Sequence, residues 1–480
     1  MKDFFERGLI AILTYQDFQK AGDRISFLHK AITDYRASEQ YLTAITAHEY
    51  YAQRNTTILE TVRYIYSQTG LKSPDFTAAN NKLASNFFRR LVKQRVTYSL
   101  GNGIIWANDP VGTKERVGRK FDEFVYHTAK EAIIGGVAYG YWNRDAGHTF
   151  SATEFVPLVD ETDGTLRAGI RFWCLEWGKR PITAVLYEED GYAEYQTKGA
   201  DGAFMESKPK RGYLEIVQSS EADGEKVVGE LNYGTLPIIP MYANDVKQSA
   251  LVGMRALIDA YDVIQSGFAN SIEDCAEFYM LVGGAMGMEQ ADLEKFRDQL
   301  KFLHIGVVDT DNSSITPYTQ EVPYAARDVC MKQLRNNIYE FFGALDVGGI
   351  SAAAKTATEI QAAYQPMDEE ADDFEYQIIS FVHGVLNLMG IEDDPTFKRN
   401  RVCNQPEQTQ MVLSAADYLD RRTLMGLLPF IDSSQIDDIL EAKEREKQEE
   451  QQQQAAQQMA QQAMSAAIEQ PPEEPEQTNQ

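Results

Sequence analysis

The chain has 480 residues, 43% of them hydrophobic and 25% charged, which is enough for roughly two to four domains around a sizeable core. Its 46 Lys and Arg stand against 72 Asp and Glu, a formal net charge of −26; this excludes a surface built to grip nucleic acid by neutralising phosphates, although a negative wall lets a polyanion pass without sticking. Cys174, Cys275, Cys330 and Cys403 lie far apart and form no CxxC pair, which excludes a zinc ribbon or a disulfide framework and leaves buried, reduced thiols as the expectation.

Residues 1–47 read as helical and partly apolar, through Leu9, Ile12, Leu13, Ile25, Leu28 and Ile32, and predict a peripheral arm. The opening MKDFFERGLIAIL mixes acids into a short apolar run and lacks a signal-peptide cleavage pattern. No apolar stretch is long enough to span a bilayer, so the chain is expected to be made and kept inside a cell. After an aromatic-rich stretch at 47–71 comes a predicted amphipathic helix at 78–100, with Leu83, Phe87 and Leu91 on one side and a stop at Gly101-Asn102-Gly103. Arg89, Arg90, Lys93 and Arg95 cluster on it, to touch phosphate or to pair with neighbouring carboxylates. A second helix is predicted at 114–134, ending at Gly135-Gly136.

The period then changes. Residues 137–142, 149–158, 169–177, 182–188, 192–197 and 213–217 are short runs rich in Tyr, Phe, Val and Trp, separated by turn signals such as Asp190-Gly191. They predict an antiparallel β-meander. It closes at 234–240, where Pro237 and Pro240 confine the run to an edge or to no strand at all.

Two long helices follow, at 248–278 and 324–342, on the order of 45 Å and 28 Å in length. Leu251, Met254, Ile258, Tyr261 and Ile264 keep helical spacing on the first; Val329, Leu334, Ile338 and Phe342 do so on the second. Asp259, Asp262, Glu273 and Asp274 mark a wet face on one, and Arg327, Asp328, Lys332 and Arg335 on the other. Between them, 279–323 reads as a small α/β module: a strand at 279–284, a charged helix at 290–303, strands at 305–309 and 314–319, and a turn at Asp311-Asn312. The second helix leads into GALDVGGISAAAK, 343–355, whose charges are Asp346 and Lys355. A helix at 356–389 contains Pro366, which predicts a kink. Its densest acid run is Asp368, Glu369, Glu370, Asp372 and Asp373, either a solvated face or a metal site. Helices are predicted at 406–467, and 470–480 is low-complexity and expected to be disordered.

No Walker A string, GxGxxG after a strand, HExxH or GxSxG is present, and His29, His48, His127, His148, His304 and His383 form no ligand pair by spacing. The sequence gives no positive reason to assign an enzyme, and no cofactor is expected.

Several strings, in this order, resemble the portal proteins of tailed bacteriophages. They are NNKLASNFFRRLVKQRVTYSLGNG at 80–103, GTLPIIPMYAN at 234–244, LIDAYDVIQSGFANSI at 257–272, KTATEI at 355–360 and RTLMGLLPFIDSSQIDDILE at 422–441. The resemblance implies an α+β, mainly helical fold. Its parts would be an N-terminal helical arm at 1–47, a wing with the β-meander at 48–247, a first stem helix at 248–278, a clip at 279–323 and a second stem helix at 324–342. A tunnel loop would follow at 343–355, a long kinked wing helix at 356–395, crown helices at 396–467 and a disordered tail at 468–480.

The resemblance also implies a non-enzymatic role: a homo-oligomeric ring, typically dodecameric, at one capsid vertex of the virion, made in the host cytoplasm. The ring would pass double-stranded viral DNA during packaging and ejection. It would dock the terminase large subunit and the neck adaptor and meet the major capsid and scaffolding proteins. The channel residues would be Gly343, Ala344, Asp346, Val347, Gly348, Gly349, Ile350, Ser351, Ala352 and Lys355. Lys355 could touch phosphate or pair with Glu359. The docking residues would be Ile305, Val307, Asp309, Asp311, Asn312 and Ile315. Competing readings are a metal-dependent nuclease using 368–373, or another capsid-associated structural protein; the β-meander speaks against a scaffold.

Overall fold

A computed structural model describes residues 13–66, 71–75, 78–144, 146–174, 180–199, 202–220, 224–275, 279–283, 314–318, 324–348, 357–401, 405–416, 418–428, 431, 436, 439–443, 445–448 and 453. The fold is α+β, helices with antiparallel sheets, in two compact units, Met1–Asn400 and Arg401–Gln480.

The first unit opens with α1 (Tyr15–Lys20), α2 (Arg24–Arg36), α3 (Glu39–Tyr51) and α4 (Thr56–Leu59), then the hairpin β1 (Tyr64–Tyr66) and β2 (Lys72–Pro74). Next come α5 (Phe87–Leu100), β3 (Ile104–Trp106), α6 (Pro110–Val117) and α7 (Phe121–Gly135). The meander is β4 (Val137–Trp142), β5 (Gly147–Ser151), β6 (Phe155–Val159), β7 (Leu166–Cys174), β8 (Ile182–Glu188), β9 (Gly191–Thr197) and β10 (Phe204–Arg211). A separate hairpin follows, β11 (Leu214–Ser220) and β12 (Gly224–Leu231), then β13 (Ile238–Tyr242).

The meander splits into two sheets, β10-β9-β8-β7-β6 and β13-β4-β5. Along β8, Ala184 and Leu186 face one core, with Phe27, Leu28, Ala31, Ile32 and Tyr35 of α2. Val185 and Tyr187 face another, with Val137 and Tyr139 of β4 and Phe150 of β5. The strand is buried on both faces, which is why it reads as a continuous apolar run. Residues 13–47 are therefore not a peripheral arm: α2 covers a sheet face that would otherwise be bare. Behind β4, Ala138 and Trp142 join the largest core, with α5, α7 and Phe374, Ile378, Phe381 and Val385. The edge position of β13, with Pro240 inside it, agrees with the proline argument.

Other boundaries moved for local reasons. The helix expected at 114–134 is two, because Gly118 takes φ +82 and ends α6. The strand expected at 149–158 breaks at 152–154 into β5 and β6. The expected helix at 78–100 starts only at Phe87; residues 78–86 stand in no regular element. Cys174 and Cys330 are exposed thiols, not buried ones.

The unit continues with α8 (Arg255–Cys275), the paired strands β14 (Tyr279–Gly283) and β15 (Ser314–Tyr318), α9 (Tyr324–Phe341), α10 (Ala357–Met389) and β16 (Pro395–Phe397), which pairs with β3. Pro366 lies inside α10. The helix predicted from 248 begins at Arg255. Before it, Asn244 Oδ1 accepts the Gln248 amide at 3.0 Å and Ser249 Oγ accepts the Leu251 amide at 3.2 Å, holding 244–251 in turns. The second unit holds α11 (Gln405–Ser414) and α12 (Arg421–Leu427), with Val412, Met425, Leu428 and Ile436 buried.

Candidate functional site

The candidate stem is α8 and α9, which run beside each other. Phe268 meets Tyr324 edge-on at 5.6 Å, and Arg327 Nη1 donates to Ser271 Oγ at 3.0 Å. The start of α8 is seated by Leu251, Met254 and Ile258 in the largest core. Beyond Ile258 the chemistry changes. From Asp259 to Glu273 the buried residues are Asp262, Ser266 and Asn270, all polar. Asp262 was expected on a wet face; it is completely buried. Its carboxylate accepts the Ser85 amide at 3.0 Å and the Asn55 side-chain amide. Ser266 Oγ accepts the Leu83 amide at 3.0 Å, and Asn270 Oδ1 accepts the Asn81 amide at 2.6 Å. Burial pushes the Asp262 carboxyl above its ordinary value, against those hydrogen bonds. On the adjacent face Asp259 accepts from the Tyr50 hydroxyl, and from the Thr57 hydroxyl at 2.8 Å.

The loop expected to line a channel begins where α9 ends. Gly343 takes φ +63 and its missing side chain matters, since a Cβ would lie 2.6 Å from Glu370 Cγ. Arg95 fixes this end: Nη2 donates to the Phe342 carbonyl at 2.6 Å and pairs with Glu370 at 2.8 Å. Of the basic cluster, Arg95 thus makes the carboxylate pair anticipated. Gln94 donates to the Leu345 carbonyl at 3.0 Å. Arg335 grips Asp346 with two parallel bonds of 3.0 Å, and the Gly348 amide adds a third at 3.1 Å. Burial raises the Asp346 pKa, but Arg335 outweighs it and holds the carboxyl below its ordinary value. Ala344 is half-buried and Val347 is exposed. Gly349, Ile350, Ser351, Ala352 and Lys355 lie outside the described residues.

In the segment expected to form a clip, Ile315 sits on β15 opposite Val282 of β14. Ile305, Val307, Asp309, Asp311, Asn312, the charged helix at 290–303 and the tail at 468–480 lie outside the described residues.

The acid run on α10 is occupied by arginine. Arg399 binds Asp368 at 3.0 Å, Glu375 at 2.9 and 3.0 Å, and Asp372. Tyr98 donates to Asp368 at 2.6 Å. Glu375 above all, with Asp372 and Asp368, raises the Arg399 pKa. Histidines unrelated in sequence do meet: His48, His127 and His148 line a cleft of about 570 Å³ with Glu123, Glu131 and Glu154. Burial lowers the His48 pKa although Glu131 stands 3.6 Å away. Among the described residues no three His, Cys, Asp or Glu are arranged to hold a metal.

Residues 30–454 match the family model described as "Phage portal protein, SPP1 Gp6-like". The chain belongs to the phage portal protein family. It is 21% identical over 437 residues to the portal protein of Clostridium phage phiCD119, covering 82% of this chain and 94% of that relative. It is 22% identical over 412 residues to the portal protein of Bacillus phage SPP1, covering 78% of each. Similar solved structures include a chain from the neck of a native GTA particle computed with C12 symmetry, at 12% identity and a TM-score of 0.38, covering 78% of this chain and 97% of that one. Another comes from the virion of a native gene transfer agent particle, at 12% identity and a TM-score of 0.40, covering 79% and 99%.

Sequence reasoning missed the polar face of α8 as a bonding surface and Arg335 and Arg399 as anchors. The i, i+4 recurrence of Asp262, Ser266 and Asn270 was the available signal.

Proposed function

We propose that copies of this portal-family chain close into a ring, typically of twelve in the family, at one capsid vertex. The ring is the passage for double-stranded DNA during packaging and ejection. The match of residues 30–454 to the portal family carries the reading. The long α8–α9 pair suits a channel wall, and a net charge of −26 per copy suits a lumen through which a polyanion slides. In this reading 343–355 faces the DNA, 279–323 docks the terminase large subunit and then the neck adaptor, and the wing and crown meet capsid and scaffolding proteins. The role is mechanical and the ring is part of the virion, assembled from chains made in the host cytoplasm.

A metal-dependent nuclease would need the α10 carboxylates open to a cation; Asp368, Asp372 and Glu375 face Arg399 instead. Negative-stain images of purified full-length protein test the proposal. Closed rings with a central hole are expected, since heterologous interfaces close when their rotation permits. Monomers or simple dimers at high concentration across several salt conditions would overturn it.

A further inference from the structure

We infer that the segment 81–85 and the half of α8 beyond Asp262 form one cooperative strap, which opens as a unit while the wing core stays folded. The alternation of amides is matched to the helix. Residues 81, 83 and 85 present every second N–H, about 6.6 Å apart in an extended chain. Asn270, Ser266 and Asp262 recur every four residues, about 6.0 Å along a helix. The two run antiparallel and meet amide by amide at 2.6, 3.0 and 3.0 Å.

Apart from this seam, this half of α8 meets α9, through Phe268 edge-on to Tyr324. Val263 and Ile272 are 45% and 49% exposed, and the three buried residues are the polar ones just named. Arg327 adds its bonds from α9 to Ser271 and the Gly267 carbonyl. The first part of α8 is different, with Ile258 sealed in the largest core and Leu257 and Tyr261 packed against it. The seam also contains polar atoms with no hydrogen-bond partner among the described residues: Asn55 Oδ1 and Asn81 Nδ2. Unpaired buried groups weaken the closed state relative to an opened one in which water reaches them. Segment 81–85 cannot leave without uncovering the α8 acceptors, and that half of α8 cannot swing without breaking the same bonds. The strap is therefore a hinge unit between stem and wing, with the pivot near Asp262. The inference concerns a single chain and stands whether or not copies form a ring.

Hydrogen exchange on the full-length protein tests it. The amides of 81, 83 and 85 and those of α8 beyond Asp262 should exchange with one shared opening, well before the α7 amides. Ser266→Ala with Asn270→Ala should speed both groups roughly thirtyfold, from the loss of two hydrogen bonds, and leave α7 unchanged. Asn270→Asp, which keeps the acceptor, should restore the wild-type rate at 81 in the Ser266 background. If the double variant does not fold, Asn270→Ala alone should give a several-fold acceleration in both groups. Unrelated exchange rates in the two segments, or an equal acceleration of α7, would overturn the inference.

Discussion

Strand β8 and one face of the second half of α8 are both buried, and by opposite means. In β8 the buried residues are Ala184, Val185, Leu186 and Tyr187; in that half of α8 they are Asp262, Ser266 and Asn270. Apolar burial is non-directional and scales with area removed from water. Polar burial is worth little unless each donor and acceptor meets its partner, and costs most when one partner is removed. The sheet therefore tolerates changes that keep volume, and the seam tolerates changes that keep an acceptor.

Several substitutions would break or sharpen that contrast. The largest effect is expected in the sheet core. Leu158→Ala, at a fully buried site facing α2, should cost about 2–5 kcal/mol in denaturant unfolding, and Leu158→Met less than about 1.5 kcal/mol. In the seam, Asp262→Ala leaves the Ser85 amide and the Asn55 side chain without their acceptor. A loss of about 2–3 kcal/mol is expected, with Asp262→Asn clearly milder; an equal loss in both variants would mean that shape, and not hydrogen bonding, seats the helix.

Asp393 tests polar burial through pH. Burial raises its pKa, but the Thr113 hydroxyl and the amides of Asn108, Asp394 and Asp109 outweigh it and hold the carboxyl at about 2. The folded value lies below the ordinary 3.8, so its contribution is fully present above about pH 4 and is lost as pH falls toward 2. Asp393→Asn should flatten that acid limb of the stability curve, with a loss of about 1–2 kcal/mol at pH 7. The smallest effect is expected for the exposed Lys332–Asp328 pair on α9, where Lys332→Ala should change stability by less than about 0.5 kcal/mol.

Legibility in the sequence followed the same division. Strand β8 was readable to the residue, because burial on both faces writes an unbroken apolar run. The start of α9 was readable as well. Residues 78–86 were not: Leu83, Phe87 and Leu91 keep helical spacing, yet the amides that would begin the helix are taken by α8 acceptors far along the chain. The start of α8 failed for a related reason, since Asn244 and Ser249 satisfy the local backbone in turns. Side-chain acceptors that capture distant amides leave no periodic trace in their partner. At the loop, the sequence showed small residues and Asp346, but not that Arg335 already holds that carboxylate.

The Arg335–Asp346 clamp also hides a charge. Two parallel bonds of 3.0 Å set the guanidinium against the carboxylate, so the pair presents little net charge to its surroundings. Asp346→Ala would remove one negative charge and leave Arg335 an uncompensated cation on α9, a change that isoelectric focusing reads directly.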